Sequence, residues 1–231
     1  IDKLLFSKNV DKSGQPEGIG LSLWRFNIGA GSTEQGKESG IKDEWRRAES
    51  FLNNDGSFNW EKQAAQMWFL QEAKKYKVDK FLGFTNSPPV QFTSNKKAFA
   101  TDGKPNLSPE QYDNFAHFLT EVVKGIRQKT GITLDYLSAT NEPQWDWSDG
   151  GQEGTPFDNE HIAGINKVLS KRLLAAKLPT QISIAEAGQL NYLYGPFNKP
   201  ARGSQIEDFF QKSGKYYLGD LPNLNKSIAG H

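Results

Sequence analysis

One short stretch of the sequence combines residues that could carry acid–base chemistry. An extended, largely apolar run ends in Asn141-Glu142-Pro143, and two tryptophans, Trp145 and Trp147, follow at once. Because proline has no N–H for a strand ladder and favours extended geometry in its predecessor, we expect the strand to stop here with the Glu142 carboxylate at its tip. A carboxylic acid beside flat apolar rings is suited to protonating a ligand while the rings hold a sugar or another flat molecule. The alternative interpretation is a structural strand end with ordinary aromatic residues in the loop.

Other polar residues lie at the predicted carboxyl ends of further strands, and the loops after them carry aromatic rings. Their amide, carboxylate and guanidinium groups could bind sugar hydroxyls, while the rings could stack on the apolar face of a pyranose. The strand ends contribute Arg25, Asn27, Asn86, Asn141, Glu142, Glu186 and His231, and the following loops contribute Trp145, Trp147, Tyr192 and Tyr194.

Several of these residues have structural as well as functional interpretations. Arg25 could be a charge at a strand end that reaches water, but a buried guanidinium there would hold a carboxylate ionised and oriented. Glu186 could pair with that arginine or contact a substrate directly. His231 could equally be a solvated or core histidine or a ligand, while His117 and His161 lie on predicted helices in structural positions.

Strand and helix patterns alternate along the chain and would position these residues. The helix after Ser108 is the best specified, because Ser108, Pro109 and Gln111 form a capping box, its apolar stripe is unbroken, and Gly131 marks its end. Apolar runs predict strands at 18–29, 80–87, 133–142, 181–187 and 227–231, and helical periodicity predicts helices at 60–76, 108–130, 158–176 and 204–214.

The connections between these elements are asymmetric. Loops that leave the strands are long and irregular, whereas the helix-to-strand connections at 77–79, 131–132 and 178–180 are minimal. Functional residues are therefore expected at the carboxyl ends of the strands, as in (β/α)8 barrels and open doubly wound sheets. We favour an α/β fold of the (β/α)8 TIM-barrel type, one domain over residues 1–231, that continues beyond this chain at both ends. A complete open sheet of five strands is the alternative, which the lack of a glycine-rich phosphate turn disfavours.

Composition excludes several classes of function. The 231 residues carry 28 basic and 27 acidic side chains and no basic cluster interleaved with aromatic residues, so a nucleic-acid partner is not expected. Cysteine is absent, which removes thiolate metal sites and a cysteine nucleophile. The three histidines lack metal-ligand spacing, no Gly-x-Ser-x-Gly elbow occurs, and no apolar run approaches the length of a membrane span. We therefore expect carboxylate chemistry with neither a metal nor a cofactor.

Six short segments, taken in order, form a further pattern. They are Leu23-Trp-Arg-Phe-Asn-Ile-Gly29, Trp68-Phe-Leu-Gln71, Asp79-Lys-Phe81, Phe84-Thr-Asn-Ser-Pro-Pro89, Ala139-Thr-Asn-Glu-Pro-Gln144 and Gln152-Glu-Gly154. Together they resemble glycoside hydrolase family 30 of clan A, and within it the endo-β-1,6-galactanase-like members. The loop 91–106 departs from the family, in which an aromatic residue and a methionine usually follow the two prolines.

The resemblance implies a role for each matching residue. The chain would supply roughly strands 2 to 6 of a barrel, with the first strand, the last strands and an appended β-sandwich outside it. Glu142 would be the general acid/base of a retaining mechanism, Asn141 would contact the substrate near the sugar 2-hydroxyl, and Arg25 would steady the nucleophile. The nucleophile itself, a glutamate on the seventh strand, has no counterpart in residues 1–231, and Glu186 on the fifth strand does not replace it. The family's cleft would also include Asn86, Trp147, Glu186 and His231.

The function implied is retaining endo-hydrolysis of a β-linked polysaccharide, a β-1,6-galactan or a related β-glycan, by a secreted, periplasmic or cell-surface monomer. Other specificities within the family, such as β-xylanase or β-glucosidase, are alternatives. A non-catalytic carbohydrate-binding protein on a decayed glycosidase barrel is the alternative from another class. In every case the partner is an oligo- or polysaccharide.

Overall fold

Five parallel strands form the centre of the fold. The computed structural model describes residues 1–231. Every neighbouring pair of strands is parallel, and the order across the sheet is the order along the chain. The strands are β1 (Leu23–Asn27), β2 (Lys80–Phe84), β3 (Tyr136–Ser138), β4 (Gln181–Ala187) and β5 (Leu224–Gly230).

Seven helices occupy the connections and the amino-terminal segment. None of them combines the length and the hydrophobicity that a membrane span needs. The helices are α1 (Asp2–Phe6), α2 (Ser32–Gln35), α3 (Ala64–Lys75), α4 (Tyr112–Thr130), α5 (Asn159–Ala175), α6 (Asn191–Tyr194) and α7 (Gln205–Phe210), with 3-10 turns at Gly36–Ser39, Glu44–Arg46 and Pro109–Gln111.

The strand order distinguishes between the two predicted architectures. Each strand lies beside its predecessor in sequence, and a helix stands between every consecutive pair, so the order contains no reversal. A doubly wound open sheet reverses its order at a switch point, whereas a (β/α)8 barrel does not. The sheet with its flanking helices therefore fits five consecutive strands of a TIM-barrel-like fold, and the predicted fold class is confirmed.

A cluster of 34 buried apolar residues joins the sheet to the long helices. The predicted stripe of α4 belongs to it, and Phe115, Leu119 and Val122 are completely buried. Each such side chain stabilises the fold by about 1.5–3 kcal/mol relative to an exposed one. Gly125 of the same helix admits the ring of Trp60, since a Cβ at this position would lie 2.1 Å from the ring. The helix is thus held against the sheet by close packing along its length.

The two ends of α4 differ in how well the sequence predicts them. Gly131 ends the helix in the left-handed conformation, with φ of 65°, and its N–H donates to the Arg127 carbonyl, as predicted. The predicted capping box at Ser108 was wrong, because its side chain makes no capping hydrogen bond. The chain enters the helix through a 3-10 turn, in which the Gln111 N–H donates to the Ser108 carbonyl at 2.9 Å. This backbone bond satisfies the donor that a side-chain cap would otherwise serve.

β3 is much shorter than predicted, and this changes how Glu142 is presented. The strand ends at Ser138, four residues before Glu142. Glu142 itself has a φ of 44°, in the left-handed region, and its N–H donates to the Glu186 carbonyl at 2.9 Å. The prediction that Pro143 ends the strand was therefore wrong. The backbone leaves the ladder early because it turns towards the end of β4, which supplies the hydrogen-bond partner for Glu142.

The other strands lie where the sequence predicts them, but three differ in length, and β2 ends at Phe84 rather than at 87. β4 covers residues 181–187 as predicted, and β5 begins slightly earlier than its predicted range. β1 is shorter than the predicted 18–29 because the residues before it pair with the first helix instead. The N–H groups of Ile19 and Leu21 donate to the carbonyls of Leu4 and Leu5 at 2.8 and 3.0 Å.

Candidate active site

Arg25 in the middle of β1 connects the ends of the neighbouring strands. Its Nη2 donates to Asn141 Oδ1 at 2.6 Å and to Glu186 Oε2 at 2.7 Å. The guanidinium carbon lies 3.5 Å from the centroid of the Phe84 ring, a cation–π contact. The guanidinium therefore contacts one group from each of the three following strand ends.

A row of amide side chains continues from Asn141. Its Nδ2 donates to Asn86 Oδ1 at 3.0 Å, and Asn86 Nδ2 lies 3.4 Å from Asn27 Oδ1. Asn27 is in turn held by Gln66 of α3, which accepts from its N–H at 3.2 Å and donates to its carbonyl at 3.0 Å. The amides at the carboxyl ends of β1 and β2 and beyond β3 thus have defined orientations. Sequence reasoning missed Gln66, because a polar helical residue carries no signal for the backbone it will bind.

His231 lies between two carboxylates of different exposure. Its Nδ1 is 2.7 Å from Glu142 Oε1, and its Nε2 is 3.2 Å from Glu186 Oε2. The Glu142 side chain is 23% exposed, whereas that of Glu186 is 2% exposed. Glu142 can therefore contact a ligand, and Glu186 is enclosed by its partners.

The pKa values of Glu186 and His231 are shifted in opposite directions. Burial by itself would raise the pKa of Glu186, but the hydrogen bond from His231 and the charge of Arg25 outweigh it and hold the pKa below its ordinary value. The hydrogen bond to Glu186 raises the pKa of His231 against the effect of burial, and the bond to Glu142 adds to the rise. Glu186 is therefore a carboxylate that favours a protonated imidazole beside Glu142.

Backbone strain is concentrated at the same place. Glu142, Trp147 and Glu186 have φ values of 44°, 48° and 48°, and Ala185 has 81°. This left-handed conformation costs a non-glycine residue about 1–3 kcal/mol and persists where surrounding contacts impose it, as at many functional sites. The register of β4 against β5 also shifts on either side of Ala185. The two carboxylates are thus aimed by backbone geometry as well as by their hydrogen bonds.

The two tryptophans after Glu142 are fixed against the backbone around it. Trp147 Nε1 donates to the Glu142 carbonyl at 3.0 Å. Its ring covers Gly154, where a Cβ would lie 2.3 Å from the indole, and Trp145 approaches Gly188 in the same way, at 2.5 Å. Both indoles remain partly exposed. The structure therefore links Glu142, directly or through one another, to seven further predicted residues, which are Arg25, Asn86, Asn141, Trp145, Trp147, Glu186 and His231.

Tyr192 does not face the cleft as expected. It is 2% exposed, its ring meets Trp145 edge-on at 6.4 Å, and its hydroxyl donates to Asn198 Oδ1 at 2.7 Å. The interpretation of Tyr192 as a sugar-stacking residue was wrong, because its ring is packed behind the indole. Tyr194, two residues further on, is 79% exposed.

Gln144 joins the loops after β3 and β4. Its Oε1 accepts from the Gly188 N–H at 3.0 Å, and its Nε2 donates to the Arg202 carbonyl at 2.8 Å. The side chain is completely buried. Although Gln144 directly follows the Asn-Glu-Pro segment, its type and position gave no indication of this positioning role.

Glu153 ties the loop after β3 to the loop after β1. Its Oε2 accepts from the Ala30 N–H at 3.0 Å, and its Oε1 accepts from the N–H and the hydroxyl of Ser32 at 3.2 and 2.6 Å. Burial raises the pKa of Glu153 to about 7, although these hydrogen bonds act in the opposite direction. A single buried carboxyl group therefore sets the spacing of two loops beside the cleft.

A cavity of 390 Å³ opens between these two loops. Its lining includes Asn27, Asn86, Trp45, Arg46 and Gln152. A second hollow shares Arg46 and Gln152 and is also lined by the two site tryptophans. No group of three or more His, Cys, Asp or Glu side chains is arranged to hold a metal ion.

One accessible carboxylate among amides and indoles, at the carboxyl ends of parallel strands, matches one of the two carboxylates that glycoside hydrolysis in a barrel uses. Comparison with known families agrees with this class. The model of O-glycosyl hydrolase family 30 matches residues 1–231, and the chain belongs to that family. The resemblance noted in the sequence is thereby confirmed.

Individual relatives give the same result. The chain is 28% identical over 199 residues to an endo-β-1,6-galactanase of Hypocrea rufa, a match that covers 79% of this chain and 42% of the relative. It is 33% identical to a conserved exported protein from Bacteroides fragilis, whose crystal structure it matches with a TM-score of 0.95 over 100% of this chain and 47% of the other. The catalytic domain of a family 30 xylanase C from Talaromyces cellulolyticus shares the fold, with 18% identity and a TM-score of 0.64 over 89% of this chain and 45% of that one. The chain thus spans less than half the length of each of these relatives.

Proposed function

We propose that the protein carrying this chain is a retaining endo-glycosidase that cleaves a β-linked polysaccharide, with Glu142 as the general acid and then the general base. The observation that supports this is the contrast between the two carboxylates joined by His231. The Glu142 side chain is 23% exposed and that of Glu186 is 2% exposed. Because a general acid must reach the leaving oxygen, Glu142 is the carboxylate of the pair that can act as the general acid.

The reaction proceeds in two displacements. A carboxylate nucleophile attacks the anomeric carbon while the Glu142 carboxyl group gives its proton to the departing glycosidic oxygen, so the glycosidic bond breaks and a glycosyl ester forms. The Glu142 carboxylate then takes a proton from the water that attacks the same carbon, and the ester bond breaks to release the nucleophile. Two inversions leave the sugar with its original configuration.

We assign the nucleophile to a residue outside residues 1–231. Glu186 is the other carboxylate of the cluster, but its Oε2 is engaged by both Arg25 and His231, at 2.7 and 3.2 Å. A carboxylate that is enclosed in this way has no free approach to an anomeric carbon. Its proposed role is to keep Arg25 and His231 in position beside Glu142.

Asn141 and the tryptophans supply the contacts that hold the sugar. The Asn141 Oδ1 accepts from Arg25 and its Nδ2 donates to Asn86, which fixes the orientation of the amide. One N–H of that Nδ2 remains for a ligand, because a primary amide has two. We propose that it donates to the 2-hydroxyl, while Trp145 and Trp147 offer ring faces to the sugar.

For the substrate we propose a β-1,6-galactan or a related β-glycan. The support is the 28% identity to a protein named as an endo-β-1,6-galactanase. A β-xylan or a β-glucoside would be bound by the same kinds of group and is the alternative. Such polysaccharides lie outside cells, and a relative at 33% identity is described as exported. We therefore propose a secreted, periplasmic or cell-surface protein.

The test compares Glu142→Gln with Glu207→Gln in the protein that carries this chain. Glu207 is an exposed glutamate of α7 and provides a matched control. We expect Glu142→Gln to lower turnover of β-1,6-galactan by about 10²–10⁴-fold while oligosaccharide binding is kept, and the control to retain turnover. Proton NMR of the first product should give retained configuration.

Two results would contradict the proposal. Turnover by Glu142→Gln at the wild-type rate would remove Glu142 from the acid/base role, and an inverted product would exclude the two-step mechanism. Binding of oligosaccharides without hydrolysis of any β-glycan would favour the carbohydrate-binding alternative.

A further inference from the structure

The cavity between the loops after β1 and β3 has features that the proposed hydrolysis does not use. Its volume of 390 Å³ falls within the range of small-ligand sites. Asn86, which accepts a hydrogen bond from Asn141 at 3.0 Å, lines this cavity together with Asn27. The cavity therefore adjoins the amide row that begins beside Glu142.

Trp45 lies on the wall of the cavity and is 90% exposed. The turn that carries it is fixed at both ends. The Trp45 N–H donates to Asp43 Oδ1 at 3.0 Å, and the Arg47 guanidinium donates to the Ile41 carbonyl at 3.0 and 2.8 Å. An exposed indole on a fixed turn packs against little of its own protein, and a ligand that covers it restricts little backbone freedom. These are the properties of a stacking surface for a sugar ring.

Arg46 is the second group of this wall with unused binding capacity. Its Nη1 donates to Gln152 Oε1 at 3.1 Å, and its guanidinium forms no ion pair. Other N–H groups of this side chain are available to ligand oxygens, since a guanidinium has five. The carboxylate of Glu153 in the same wall is already occupied by Ser32.

The lining contains five amide side chains and four charged ones, and three of the charged groups, those of Arg47, Glu49 and Glu153, are already bound within the protein. Amide side chains can donate and accept at once, which suits the hydroxyls of an uncharged sugar. The amides that line the cavity are Asn27, Gln63, Gln66, Asn86 and Gln152.

We propose that this cavity is an additional subsite that binds a neutral sugar unit of the glycan, at a distance from the unit that Glu142 acts on. Trp45 stacks on the apolar face of that unit, and Arg46 and Gln152 bind its hydroxyls. The subsite makes affinity depend on chain length, as an enzyme that cleaves within a polysaccharide requires. This inference rests on the proposed function, and its test is therefore independent of hydrolysis.

The test measures binding by isothermal titration calorimetry in the Glu142→Gln background of the protein that carries this chain. The probes are galactose and β-1,6-linked galacto-oligosaccharides of two, three and four units. We expect an increase in affinity of at least tenfold at the length that first reaches the cavity, and we expect Trp45→Ala to abolish that increase. Trp68→Ala is the control, because Trp68 is 45% exposed and lines neither the cavity nor the neighbouring hollow.

These outcomes distinguish failure of the subsite proposal from failure of the proposed hydrolysis. Affinity that does not rise with length, a rise that survives Trp45→Ala, or an equal loss at every length overturns the subsite. A rise that Trp45→Ala abolishes supports it, even if the wild-type protein hydrolyses no glycan and the proposed function fails. Hydrolysis by the wild-type protein without a rise in affinity supports the reaction and overturns the subsite.

Discussion

The Nδ1 atom of His231 lies 2.7 Å from the Oε1 atom of Glu142, within the range of a charge-assisted hydrogen bond. The other ring nitrogen faces Glu186 at 3.2 Å. An imidazole between two carboxylates donates to both only as the imidazolium, whereas a protonated Glu142 donates to the neutral ring. The contact between Glu142 and His231 is therefore a hydrogen bond whose donor depends on which of the two residues carries the proton.

The stability that His231 contributes should depend on pH. Because its pKa is raised by the bond to Glu186, the folded state holds the proton more tightly than the unfolded chain. The contribution is complete below the ordinary histidine pKa and is lost as the pH rises through the raised value. We expect His231→Asn to lower the free energy of unfolding by about 1 kcal/mol at pH 5.5, allowing for partial exposure, and by less at pH 8.5. Urea denaturation at both pH values measures this, and a loss that grows with pH would contradict the assignment.

Removing the charge of Arg25 should destabilise the protein because Glu186 would remain buried without its partner. We expect Arg25→Met to cost about 3–5 kcal/mol at pH 7, as measured by thermal or urea unfolding. The double variant with Glu186→Gln should recover part of this loss, since no buried charge remains. If the two losses were simply additive, the Arg25–Glu186 pair would not be coupled, and the positioning role would be wrong.

The lowered pKa of Glu186 gives this pair its own pH dependence. Burial opposes the shift, but the bond from His231 and the charge of Arg25 prevail, so the folded state binds the proton less tightly than the unfolded chain. The contribution is present above the ordinary glutamate pKa and is lost as the pH falls through the lowered value. The difference in stability between the wild-type protein and Glu186→Gln should therefore shrink on acidification below pH 4.5, as followed by urea denaturation.

Gly188→Ala should displace the side chains of the candidate site, because the added methyl group has no free space. The added Cβ would lie 2.5 Å from Trp145 Nε1 and 3.3 Å from Glu142 Cβ, so the indole must move. We expect a shifted tryptophan fluorescence spectrum and at least a tenfold lower kcat/KM. Gly195→Ala is the matched control, because nothing lies within 4 Å of its added Cβ. If the two variants had the same fluorescence spectrum and the same kcat/KM, close packing of Trp145 on Gly188 would be contradicted.

Glu153 should make the wild-type protein less stable as the pH rises. Burial raises its pKa from 4.5 to about 7, so its contribution is complete below pH 4.5 and is lost through pH 7. The shift corresponds to about 3 kcal/mol at roughly 1.4 kcal/mol per pKa unit. In unfolding measurements at pH 5 and pH 8, the stability of the wild-type protein relative to Glu153→Gln should fall by an amount of this order. A constant difference would mean that Glu153 does not titrate in this range.

The sequence predicts those features that depend on local chemistry. The strand at 181–187 and the stop at Gly131 follow from a short apolar run and from the freedom of glycine at positive φ. The grouping of Arg25, Asn141 and Glu186 is also predictable, because parallel strands bring their carboxyl ends to one edge of the sheet. Their polar types at strand ends were enough to indicate a site.

Features that depend on distant partners could not be predicted. The left-handed backbone of Glu142 requires the carbonyl of Glu186, and the burial of Tyr192 requires the indole of Trp145. The role of Glu153 depends on N–H groups more than 120 residues earlier in the chain. No local pattern carries this information, so the sequence predicts which residues lie together more reliably than the contacts that hold them.

The bond from the Glu142 N–H to the Glu186 carbonyl, together with the bond from the Gly188 N–H to Gln144, has a consequence for loop exchange between relatives. The segments after β3 and β4 hold each other in place, because the Glu186 carbonyl accepts from the first segment and the Gln144 side chain accepts from the second. A chimera that imports the first segment alone would place Glu142 against a backbone carbonyl that is positioned by a different second segment. Loop exchanges with relatives should therefore have their junctions in α4 and beyond Gly188, so that both segments are transferred together.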